Sequence, residues 1–250
     1  MVFTVEERNR VRERLLGLAA ADPRVVAGAA VGGTVSGASD RWSDLDLAFG
    51  VADDSSLAEV LEDWTRRVVG ELDAVHLFDL PHGSAIYRVF LFPGCLQVDL
   101  SFAPASEFGA TGPRFELLFG SSVEKDHVPT PPPGEIFGLA VHHAVRARYS
   151  IERGRPWQAE LWISAARDLA LELACLRHGL DASYGRELDK LPTDILAAFD
   201  ATLVRSLDRE ELLRALAGTV ELVLSESSQS VKVPPRIEAE LRKLSQATSL

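Results

Sequence analysis

Near the start of the chain, Val11, Leu15, Leu16 and Leu18 recur at helical spacing. Thr4, followed three residues later by Glu7, forms the reciprocal cap that opens a helix, so residues 4–20 are predicted helical. Asp22-Pro23 ends that helix. The apolar run 25–31 reads as a buried strand that stops at Gly32-Gly33, the punctuation of a strand end where φ must be free. Residues 45–51 form a second strand, and alternation through Ser43-Asp44-Leu45-Asp46-Leu47 places both aspartates on one face and both leucines on the other. Asp53-Asp54-Ser55 is read as the cap of a helix over 57–72, whose apolar side carries Leu57, Val60, Leu61, Trp64, Val68 and Val69. Strands follow at 74–80 and 84–92 around Pro81-His82-Gly83, then at 95–103 after Phe92-Pro93-Gly94, and last at 115–119.

The proline-rich stretch 129–134 is stiff and non-helical, and it marks a boundary between a domain at 1–130 and another at 131–250. Beyond it the pattern is helical throughout. Helices are predicted at 136–153, stopped by Gly154; at 157–177, opened by Pro156 and closed by Gly179; at 192–204; from Asp208 to 224; and a short one from Pro234-Pro235 to 244. Short links between amphipathic helices predict an up-and-down bundle. The expected fold class is therefore α+β, a small mixed-sheet domain followed by an all-α helical bundle.

Composition narrows the function classes. No apolar run is long enough to span a bilayer, and Met1-Val2-Phe3 leads into charged residues unlike a secretory signal, so a cytoplasmic protein without a membrane partner is expected. Cys95 and Cys175 lie far apart without metal spacing; they are read as buried small hydrophobes rather than a disulfide or zinc framework. The net charge is −11, and residues 1–130 hold 11 Lys and Arg against 20 Asp and Glu, a balance of −9. Such a surface repels phosphate backbones, which argues against a duplex nucleic acid partner and suits a cationic small molecule. Oligomeric state is left open, a homodimer being compatible with the chain.

The chemistry concentrates between Val31 and Leu47. Adjacent carboxylates raise each other's pKa and repel, so a fold keeps Asp44 and Asp46 together for a cation, and Mg²⁺ prefers such hard oxygen ligands. Upstream, Gly32, Gly33 and Gly37 with Thr34, Ser36 and Ser39 make a loop whose N–H and hydroxyl groups suit an anion. Ser43 either adds a hydroxyl to that anion or caps the strand entry. In the strand 95–103, Leu96, Val98, Leu100 and Phe102 face one way and Cys95, Gln97, Asp99 and Ser101 the other, which makes Asp99 the only charge. Taken alone, that strand favours Asp99 facing solvent on a one-sided sheet.

Gly32-Gly33, then ten residues to Asp44-Leu45-Asp46-Leu47, resembles the signature of the nucleotidyltransferase superfamily related to DNA polymerase beta. The resemblance implies a third carboxylate on a later strand, for which Asp99 is the candidate. It also implies two Mg²⁺ ions bridged by Asp44 and Asp46, with Asp99 as metal ligand, general base or both. Gly32 and Gly33 would offer N–H groups to the phosphates of a nucleoside triphosphate, ATP being the expected one, with Thr34 and Ser43 beside them. One departure is Gly33, where many relatives carry serine. A small α/β domain followed by helices further resembles the antibiotic nucleotidyltransferases of the kanamycin and lincosamide type. That implies transfer of a nucleoside monophosphate, AMP foremost, to a hydroxyl of a small molecule, with release of pyrophosphate and a role in antibiotic resistance. The alternative is a nucleotidyltransferase-fold module of a toxin-antitoxin pair, but such minimal proteins usually lack a helical second domain, and no Arg-x4-His arrangement points to a ribonuclease.

In the helical half, Glu160, Ser164, Arg167 and Asp168 share one helix face, either a polar wall for the acceptor or a local ion-pair network. His142-His143 is expected on the helix surface, Arg148 and Glu152 as an i, i+4 pair, and Trp157 and Trp162 in the core or at an interface.

Overall fold

A computed structural model describes residues 2–32, 35, 40–112, 114–125, 131–228 and 230–244. The chain separates into two compact units, Met1–Pro129 and Thr130–Leu250. The first is a mixed sheet with two long helices; the second is helical, so the expected fold class is the one observed. No helix among the described residues is long and apolar enough to cross a membrane.

The first unit runs α1 (Val5–Ala20), β1 (Val25–Val31), β2 (Leu45–Val51), α2 (Leu57–Leu72), β3 (Val75–His82), β4 (Ala85–Phe92), β5 (Leu96–Pro104) and β6 (Phe115–Phe119). The sheet order is β3-β4-β5-β2-β1-β6; only β2 and β5 are parallel, because α2 and the β3–β4 hairpin supply the long crossover that a parallel pair requires. The capping box is formed as expected: the Glu7 N–H donates to Thr4 Oγ1 (3.2 Å) and the Thr4 N–H to Glu7 Oε2 (2.7 Å). The cap of α2 differs from the expected one. Ser56 Oγ accepts from the Glu59 N–H (3.4 Å), and Asp53 instead accepts from the Ser106 N–H and hydroxyl at 3.1 and 2.9 Å, joining β2's exit to β5's.

Alternation decides which sheet face is core. Leu45, Leu47 and Phe49 of β2 and Leu96, Val98, Leu100 and Phe102 of β5 cluster with α1 and α2 side chains. At the centre, the Trp64 ring lies 5.0 Å from Phe49 and 5.1 Å from Phe102, and its indole N–H donates to Asp22 (3.1 Å). Asp22 is buried, and its carboxyl is held below the usual range chiefly by the Arg24 guanidinium, at 2.9 Å, which also reaches Asp63 at 2.8 Å. On the hairpin, Arg88 pairs with Asp79 (2.6 Å) and donates to the Leu61 carbonyl and the Thr65 hydroxyl of α2 at 2.9 and 2.7 Å. β3 forms one sheet edge and exposes Val75, Leu77, Phe78 and Leu80. A bulge between His76 and Phe78 and the imino nitrogen of Pro81 interrupt that edge as a template for further strands. Cys95 is exposed with φ 60°, contrary to the expected burial, because the chain turns there before β5 begins.

The second unit contains α3 (Pro133–Glu152), α4 (Pro156–His178), α5 (Thr193–Asp200), α6 (Arg209–Ser227) and α7 (Pro235–Leu244). Pro133 opens α3 rather than preceding it, since a first-turn proline loses no intrahelical bond. Ala140, Ala144 and Ala147 of α3 and Ala159, Ala170 and Ala174 of α4 are almost wholly buried, and these small side chains let the helices pack closely around Ile163, Leu212, Leu216 and Val220. Cys175 is buried there as expected. Arg148 is buried too, pairing with Glu152 (2.6 Å) as the spacing predicts and donating further to the Leu244 carbonyl (2.6 Å).

Candidate functional site

The face of the sheet opposite Trp64 carries the carboxylates. Parallel pairing puts Asp46 of β2 directly beside Asp99 of β5, and aligned residues of neighbouring strands project to the same side. Two aspartates 53 positions apart in the sequence thus become neighbours through a single register. On β4 the residue in line with Asp99 is Val89, which is almost wholly buried.

Asp99 is half-buried, and burial pushes its carboxyl above the usual range; the Asp44 charge pushes the same way, while a hydrogen bond from Gln97 Nε2 (3.1 Å) opposes both. Asp44, one residue before β2, therefore lies near enough for its charge to be felt at Asp99. Among the described residues, no three His, Cys, Asp or Glu side chains are gathered closely enough to hold a metal ion. What the fold assembles is the Asp46–Asp99 pair with Asp44 beside it. Mg²⁺ commonly takes only one or two carboxylates and completes its octahedron with water and phosphate, so two of these carboxylates would suffice for that ion.

Gly32 closes β1 against the same pair. Its φ is +67°, and a Cβ built there would stand 2.2 Å from Asp46 Oδ2. The N–H expected to meet a phosphate is donated to the Arg114 carbonyl (3.2 Å), so Gly32 contributes close approach to Asp46 rather than a free donor. Gly33 and Thr34, with Ser36, Gly37 and Ser39, lie outside the described residues. Gly32→Ala is expected to destabilise the fold by about 1–2 kcal/mol through its left-handed backbone, and to force the Asp46 carboxylate aside. A lower melting temperature accompanied by weaker divalent-metal binding checks this.

Ser43 bonds within the turn that precedes β2. Its hydroxyl donates to Asp40 Oδ1 (3.1 Å) and accepts from the Asp40 N–H (3.0 Å), while Asp40 Oδ1 also accepts from the Trp42 N–H (2.8 Å). These bonds close a turn over residues 40–43. Arg8 of α1 is buried, and its Nη1 donates to the carbonyls of Asp40 (2.7 Å) and Ser43 (2.9 Å). The signal for Arg8 in the sequence is its phase, since position 8 falls with Leu15 and Leu18 on the buried stripe of α1.

Three residues of the candidate polar wall of the second unit bond to one another. Ser164 donates to Glu160 (2.7 Å) and Arg167 donates to Ser164 (3.0 Å), forming a local network; Asp168 is exposed. His142 is exposed and accepts from Arg146 Nε (2.8 Å). The ring of His143 packs 5.0 Å from Trp162, and burial holds its imidazole below the usual range. Trp157 is exposed.

No family model and no curated protein matches the chain. Among solved structures, the chain is similar to a crystal structure of an aminoglycoside 6-adenyltransferase from Bacillus subtilis, with a TM-score of 0.41 and 13% identity over 93% of this chain and 95% of that one.

Proposed function

We propose that this chain is a Mg²⁺-dependent nucleotidyltransferase that moves a nucleoside monophosphate, AMP from ATP, to a hydroxyl of a small molecule. The observation that carries this proposal is the register that sets Asp46 beside Asp99 on one sheet face, with Gly32 closed against Asp46. It gives the Asp-x-Asp resemblance the strand context that such a motif requires.

A bound Mg²⁺ would neutralise charge on the triphosphate and orient it. Asp46 and Asp44 would hold that ion. Asp99, its carboxyl held above the usual range, is a stronger base than an ordinary aspartate and suits acceptance of the acceptor's hydroxyl proton. In the reaction a bond forms between the acceptor oxygen and the α-phosphorus, the bond from that phosphorus to the bridging oxygen breaks, and pyrophosphate leaves. The experiment is incubation with Mg²⁺, each of the four nucleoside triphosphates and a panel of aminoglycosides and lincosamides, with pyrophosphate release as the readout. No release with any combination counts against the proposal.

For the acceptor, the −9 balance of residues 1–130 favours a polyhydroxylated cation of the aminoglycoside or lincosamide kind. With Mg²⁺ and nucleotide saturating, its KM is expected to rise with ionic strength as screening shortens the field to about 8 Å near physiological salt. Modification confined to neutral or anionic acceptors, with salt-independent KM, would remove the cationic acceptor and leave nucleotidyl transfer standing.

A further inference from the structure

Arg8 alone among the charged residues of α1 is buried. The capping box at Thr4 and Glu7 starts the helix just before Arg8, and burial of the stripe it shares with Leu15 and Leu18 turns Arg8 inward. A buried guanidinium is costly unless its donors are met. Here Nη1 is met by the carbonyls of Asp40 and Ser43, at 2.7 and 2.9 Å, the two ends of the turn that delivers the chain to Asp44. The next residues are Asp44, Leu45 and Asp46, so the path from the glycine loop into β2 is tied to α1 through one side chain.

We propose that Arg8 is a positioning residue for Asp44 and Asp46, holding the 40–43 turn so that these two carboxylates stand where they can hold a divalent cation. The proposal rests on the nucleotidyltransferase reading of the site. It assigns Arg8 no contact with nucleotide or acceptor. Lysine keeps the charge, but its point-like ammonium on a different stem does not reproduce the guanidinium's geometry at both carbonyls.

The test is Mn²⁺ binding to the full chain without nucleotide, followed by loss of the free-ion electron paramagnetic resonance signal, with circular dichroism and thermal melting in parallel. Wild type is expected to bind saturably and Asp46→Asn to lose that binding. Arg8→Met is expected to weaken Mn²⁺ at least about tenfold, the scale on which outer-shell partners of metal ligands act, and Arg8→Lys to recover part of the loss. A folded Arg8→Met that melts lower yet binds Mn²⁺ like wild type overturns the proposal, since Arg8 then serves stability alone. If Arg8→Met does not fold, a folded Arg8→Lys with unchanged Mn²⁺ affinity overturns it equally. Absence of saturable binding in wild type, or its persistence in Asp46→Asn, is visible before any Arg8 variant is made; it defeats the metal site itself and the Arg8 role with it.

Discussion

Replacing Asp46 by asparagine is expected to lower nucleotidyl transfer about a thousandfold, the scale on which the loss of one group stabilising transition-state charge is felt. Asparagine keeps the volume and can still lie against Gly32, so the loss would report charge rather than fit. Initial rates at saturating Mg²⁺ and ATP check it, and near-normal turnover would show that Asp46 holds no metal. The neighbouring carboxylate supplies a stability test of the same site in the metal-free protein. Asp99 holds its proton more tightly folded than unfolded, because burial and then the Asp44 charge raise its pKa. As pH rises through the window between the unfolded and folded values, stability falls, and above that window the charged group is a standing cost. Asp99→Asn should therefore melt higher than wild type at pH 7, and the gain should vanish below the ordinary carboxylate range, where Asp99 is protonated in both states.

Trp64→Ala is expected to destabilise the first unit by about 3–5 kcal/mol, the usual result of emptying a buried aromatic site. The ring is 1% exposed and packs on Phe49 and Phe102, so neither strand can collapse into the space without breaking the sheet register. The same substitution removes the indole donor from buried Asp22. Trp64→Phe should keep most of the packing and lose that hydrogen bond, a smaller effect of about 1.5–3 kcal/mol for a charged acceptor. Urea midpoints of the first unit's transition, compared at constant slope, separate the two.

Much of the fold was readable because its signals are local. The helical stripe and capping box of α1, the alternation of β2 and β5, and the proline opening α4 each depend on a few neighbouring residues. Some differences from expectation come from a distant partner. Asp53, expected at the cap of α2, has its carboxylate taken by Ser106, and Ser56 caps instead. The burial of Arg8 depends likewise on a distant turn, since the carbonyls that meet its guanidinium belong to Asp40 and Ser43.

The sequence by itself determined the elements, their core faces and the residue types of the candidate site, since periodicity and turn chemistry act over a few residues. Only the tertiary structure decided which of those residues meet. Asp99 stands beside Asp46 because β2 and β5 pair in parallel in one register, and a slip of one residue would turn Asp99 toward the Trp64 core. The Gly32 N–H is committed to Arg114 because β6 pairs with β1 and brings the preceding residue alongside. Such choices depend on long-range pairing and on the desolvation of groups that no local pattern encodes.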